Sequence, residues 1–135
     1  MTKKQINDFH NLVYLKYRNQ IKISFDDVEP DDFSAYVGEN LISIPKCIRE
    51  KQSEWTLFAF LHELGHIKTN TITMKRYEME YLATQWALYE AKIIGFVVPD
   101  SIVDTYQDYI NKWRSISVSQ KEKNVWPKSK IQLRK

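Results

Sequence analysis

FLHELGHIK, residues 60–68, sets two histidines four apart with a glutamate directly after the first. On an α-helix, positions i and i+4 lie one above the other, so the His62 and His66 imidazoles can point the same way and approach one Zn²⁺ at about 2.0–2.1 Å. Glu63 is rotated by about 100° around the axis from His62. It sits beside the metal rather than on it, where a carboxylate accepts a proton from the water being activated. A metal-free surface helix is the plain alternative. Against it, the chain has only three histidines, and the run Phe58, Ala59, Phe60 and Leu61 argues that this helix is largely buried. Buried paired imidazoles need a partner.

Two histidines do not complete a site, because a catalytic zinc usually takes three protein ligands and leaves a fourth position open. His10 is available in principle but lies in an earlier helix, beyond the strands. A carboxylate from the next helical stretch, KRYEMEYLATQWALYEAK, is the better source, and Glu78, Glu80 and Glu90 compete for the role. Periodicity favours Glu80. Threes and fours counted from it meet Ala83, Thr84, Ala87, Ala91 and Ile94, a small-residue stripe that lets two helices approach closely. Glu78 lies about 200° away on the wheel and reads as a solvated carboxylate near Lys75 and Arg76. Glu90 reads as a surface charge paired within its own helix. Gly65, mid-helix, costs roughly 1 kcal/mol relative to alanine, which makes sense if its missing side chain makes room for the Glu80 helix or for a substrate backbone.

Outward from this pair of helices the pattern is mixed. Ile6, Phe9, Leu12, Val13 and Tyr17 recur at three- and four-residue steps and predict a helix over 4–18. IKISF (21–25) alternates, and AYVGENLISIP (35–45) reads as two short strands about a Gly38-Glu39-Asn40 turn, so a small three-stranded sheet is expected. Ser53 suits the cap of the histidine helix, which should run to about Lys68, where TNTIT stops it. A third helix covers roughly 75–94 and is broken by Gly95. Pro99 and Asp100 suit the start of a fourth, with Val103, Tyr106, Ile110 and Trp113 on its inner face. The fold class is α+β, with residues 1–118 as one domain.

At 135 residues and 43% hydrophobic, the chain supports one domain with a real core. No apolar run follows the N-terminal lysines and no stretch is long enough to span a bilayer, so a cytoplasmic location and no membrane contact are expected. Cys47 is the sole cysteine, which excludes an internal disulfide and a thiolate metal cluster and leaves it a small buried hydrophobe. The formal charge of +3 is concentrated in residues 119–135, SQKEKNVWPKSKIQLRK. Such a basic tail can touch nucleic acid weakly or simply be solvated, and no accompanying recognition helix argues for more. Oligomeric state is not legible, since Trp113, Val125, Trp126 and Ile131 suit packing within the chain or against another subunit.

HELGH, preceded by a strand pair and followed by Glu80, Ala83, Trp86 and Ala87, resembles the ImmA/IrrE family of small zinc metallopeptidases of phages and mobile elements, over roughly residues 33–99. The resemblance implies a minimal, gluzincin-like zincin fold, with His62, His66 and Glu80 as zinc ligands and Glu63 as general base. It further implies a zinc-dependent endopeptidase of narrow specificity whose protein substrate is a helix-turn-helix, DNA-binding repressor. The alternative is a zinc-binding or metal-free module that acts by docking on a regulator or a host defence protein. Thr84 departs from the family, which commonly has Asp or Asn there to orient a histidine ligand. Tyr36, Tyr77 and Tyr81 are all candidates to hydrogen-bond a developing oxyanion. AYVG or LISI is expected to offer an edge to an extended substrate, and Trp55 and Trp86 read as core anchors in preference to subsite walls.

Overall fold

The computed structural model describes residues 1–69 and 75–117; the basic tail and most of the TNTIT stop signal lie outside the described residues. Helix α1 spans Lys3–Tyr17 and begins at a capping box, in which the Thr2 hydroxyl accepts from the Gln5 backbone and the Gln5 side chain accepts from the Thr2 backbone. Three short strands follow: β1 (Lys22–Asp26), β2 (Ser34–Tyr36) and β3 (Leu41–Pro45). The expected turn between the last two is a 3₁₀ turn closed by Asn40 in the left-handed region, at φ 52°. Asn40 tolerates that conformation and uses its amide to donate to the Gln20 carbonyl at 2.8 Å.

The strand order is β1-β3-β2, with β3 parallel to β1 and antiparallel to β2. This order corrects one expectation. LISI lies in the central strand, with both of its edges paired, so only the Ser34–Tyr36 side of the sheet is open next to the histidine helix. Four of the five residues of β3 are buried, as a strand covered on both faces requires.

Helix α2 (Glu54–Thr69) carries the histidines, and its start is fixed by Ser53 and Thr56, which exchange backbone-to-side-chain bonds of 2.8 and 3.2 Å. Its apolar residues are not confined to one stripe: Leu57, Phe58, Phe60, Leu61 and Leu64 are all buried. A helix of that kind belongs in the middle of a fold. Accordingly α1, β2, β3 and α3 all pack on it. Helix α3 (Arg76–Ile94) lays Ala83, Ala87 and Ala91 into this core and ends at Gly95 with φ 89°. Helix α4 (Asp100–Ser117) then returns along α3, burying Ile102, Val103 and Ile110. Among the described residues no helix is long and apolar enough to cross a membrane.

Candidate metal centre

The close approach of α2 and α3 creates the site. A Cβ built on Gly65 would stand 2.3 Å from the Ala83 carbonyl oxygen, so only glycine lets the two backbones come this near. Ala83 is three residues from Glu80, and the same approach carries the Glu80 carboxylate between the imidazoles. Glu80 Oε2 lies 3.0 Å from His62 Nε2 and 3.3 Å from His66 Nε2. The two rings stand nearly perpendicular, with centroids 4.7 Å apart. The Glu63 carboxylate and both imidazoles offer ligand atoms within 4.8 Å of one another, with Glu63 Oε1 3.6 Å from His62 Nδ1.

Two observations test whether these residues suit a metal. First, donors about 2.0–2.1 Å from a tetrahedral zinc stand about 3.3–3.4 Å from each other, and the two nitrogen-to-oxygen separations at Glu80 are 3.0 and 3.3 Å. Second, His62 Nε2 and Glu80 Oε2 are fully buried and neither has a hydrogen-bond partner. They approach to 3.0 Å as a histidine–carboxylate pair without the alignment of a hydrogen bond. Such orphaned buried atoms cost about 1–3 kcal/mol each unless something else satisfies them. The donor set, two imidazoles and a carboxylate, is one that zinc accepts.

The electrostatics agree. Burial disfavours the His62 imidazolium, but the Glu63 and Glu80 carboxylates outweigh burial and draw its pKa up to about 9. Burial likewise opposes ionisation of Glu80, yet the adjacent His62 and His66 hold its carboxyl far below the usual carboxylate range. The space between the rings is therefore a place that favours positive charge.

The centre forms the floor of a cleft of about 660 Å³, walled by β2 and its flanks on one side and by α4 on the other. Glu63 faces this cleft. So does Trp55, which is 46% exposed rather than a core anchor; Trp86 does pack against the core, edge-on to Tyr17. Glu78 is half-buried and makes no approach to the histidines, so of the three competing glutamates Glu80 alone reaches them. Glu90 departs from its expected role: it is buried and pairs with Lys16 of α1, with Tyr17 beside it, not with a neighbour in its own helix. His10 is remote from the centre, stacked on Phe60 and bonded to Thr56. Thr84 orients no histidine, because its hydroxyl donates to the Glu80 main-chain carbonyl at 2.7 Å. Cys47 is partly exposed, just after β3.

The tyrosines are redistributed as well. Tyr77 is buried against Ile110, Tyr81 packs on the same small cluster, and Tyr36 is exposed outside the cleft. The phenol placed over the centre is that of Tyr106, whose ring lies 4.9 Å from His62 and 4.9 Å from Phe58. Burial first, then the charges of Glu63 and Glu80, push its pKa above the ordinary tyrosine value, so it stays a hydrogen-bond donor. In the sequence Tyr106 is one inner-face residue of α4 among several. Its only signal is a polar tip in an otherwise apolar stripe. Comparison with protein-family models, with curated proteins and with solved structures found no match to this chain.

Proposed function

We propose that the chain is a zinc-dependent endopeptidase of the ImmA/IrrE type, acting on a helix-turn-helix repressor of a phage or mobile element. The observation that supports the metal half of this reading is the approach of one Glu80 oxygen to both imidazole nitrogens, at 3.0 and 3.3 Å, with that oxygen and His62 Nε2 buried and without a hydrogen bond. The substrate half rests on the resemblance of HELGH and its following glutamate helix to that family. His62, His66 and Glu80 would hold the ion. When bound, zinc supplies Lewis acidity, polarising a carbonyl and acidifying water.

The chain's own groups do the rest. Glu63, at the cleft wall, takes a proton from the attacking water and returns it to the leaving amine. Tyr106, kept protonated, donates a hydrogen bond to the carbonyl oxygen as charge develops on it. The open side of β2 is the natural seat for an extended peptide, whose main chain would pair there while its side chains enter the cleft. Trp55 is placed to contact one of those side chains.

Metal content of untagged protein, measured by elemental mass spectrometry, is the first test. Stoichiometric zinc in the wild type and in Glu78→Ala, with loss in Glu80→Ala, is the expected result; a wild type that never takes up zinc removes the reading. Co-expression with the adjacent helix-turn-helix regulator, if one is encoded there, tests the reaction. Glu63→Gln should retain zinc and lose cleavage. A variant that keeps the full biological effect would instead mark a docking module.

A further inference from the structure

Glu80 uses its two oxygens differently. Oε2 is the atom that both imidazoles approach, while Oε1 is turned away from them and accepts from Arg76 Nε at 2.8 Å. Arg76 is itself fixed from behind: its guanidinium carbon lies 4.7 Å above the Trp113 ring, and Nη2 reaches the Tyr109 hydroxyl at 3.4 Å. A planar fork stacked on an aromatic ring and bonded at its Nε edge has little freedom left.

Helix stability does not explain this residue. Arg76 is the first residue of α3, next to Lys75 at the N-cap, which makes no side-chain capping bond. A cation there opposes the helix dipole. The i,i+4 pair with Glu80 offsets this, but it is made by a guanidinium that is nearly half exposed. What Arg76 does accomplish is to occupy the second oxygen of a carboxylate that would otherwise be free to turn both oxygens inward. Two oxygens on one ion would consume the position that a catalytic zinc leaves open. Thr84 cannot do this work, since its hydroxyl is committed to the helix backbone.

We infer that Arg76 is a positioning residue that holds Glu80 to one-oxygen coordination and so keeps the fourth metal position free on the cleft side. This rests on the metal reading above, and the test separates the two. Cobalt(II) replaces zinc in such sites, and its visible absorption reports geometry, intense when four-coordinate and weak when five-coordinate. Wild-type protein, Arg76→Gln and Arg76→Lys are loaded with Co²⁺ and compared at equal, measured occupancy, with circular dichroism to establish folding. Neutralising a cation at a helix start relieves an unfavourable dipole contact, so Arg76→Gln is expected to fold. Arg76→Lys keeps the charge but loses the fixed Nε donor, and serves as the second variant.

The wild type should give the intense band, and the band should fall by about half or more in each folded variant as Glu80 turns its second oxygen inward. An unchanged band in the folded variants, or a weak band already in the wild type, overturns the role of Arg76 while leaving the metal centre standing. A wild type that binds neither cobalt nor zinc overturns both, and is recognised by the absence of metal rather than by the shape of a spectrum.

Discussion

Gly65→Ala is the sharpest probe of how the centre is built. The added Cβ would lie 2.3 Å from the Ala83 oxygen and 3.0 Å from the Ala83 carbonyl carbon and Cα. These are backbone atoms of a rigid helix, which cannot swing aside as a side-chain end would. A carbon-to-oxygen contact relaxes at about 3.3 Å or more, so α3 must retreat by about 1 Å. Glu80 is one turn away on the same helix and retreats with it. Its 3.0 and 3.3 Å separations from the imidazoles then open towards about 4 Å, beyond what one ion with bonds of about 2.0–2.1 Å can span. On stability, overpacking costs typically about 1–3 kcal/mol, against roughly 1 kcal/mol gained from replacing a mid-helix glycine; the clash therefore equals or exceeds the gain. The variant is expected to melt no higher than wild type without metal and to bind zinc at least tenfold more weakly, a loss of about 1.4 kcal/mol. Thermal melts and competition with a chromophoric chelator measure the two. If Gly65→Ala melted higher and bound zinc as tightly, the glycine would not be what admits α3, and the argument for the site's construction would fail.

Two further outcomes follow from buried groups. His10 is buried, and burial, only partly offset by its hydrogen bond towards Ser53, lowers its pKa to about 4. The folded state therefore resists a proton that the unfolded chain accepts at about 6.5. Stability should be full above about pH 6.5, fall as pH drops towards 4 by up to about 3 kcal/mol, and then level off as far as this group is concerned; urea melts of His10→Gln should lack that slope, and an identical slope in both proteins would refute the assignment. Tyr106→Phe removes the phenol packed on His62 without removing a ligand, so zinc content should be unchanged while kcat falls about 10²–10³-fold; full activity in that variant would exclude the phenol from the reaction.

The readings that held were those a single helix or strand can carry by itself. HELGH and the Glu80, Ala83, Ala87, Ala91 stripe each lie on one face of one helix. Two faces that are both unusually small or polar have few ways to meet other than against each other, and Gly65 records the closeness of that meeting. The readings that failed, and the features the sequence did not show, depended on a third partner. A helical wheel drawn for α3 shows Glu90 on a flank, but not that α1 covers the flank and presents Lys16 there. Trp55 has the composition of a core residue, yet it sits in the first turn of α2 and faces the cleft instead of the sheet. Tyr106 acquires its place only because α4 folds back along α3 and brings its inner face over His62. The insertion of β3 between β1 and β2 is likewise a matter of order that alternation cannot encode, since each strand would read the same in any order.

The same distinction bears on whether the cluster exists for structure alone. A structural histidine–glutamate cluster is expected to satisfy its buried atoms with one another, because each orphan costs about 1–3 kcal/mol. Here Arg76 satisfies Oε1, while Oε2 and His62 Nε2 lie 3.0 Å apart without the alignment of a hydrogen bond. An apolar pair of similar volume at the same positions would pack without that misalignment. A metal ion held by both atoms would satisfy their lone pairs at once. The arrangement is poor as a hydrogen-bond network and capable of holding a metal ion, and that geometry adds to what the HExxH letters say.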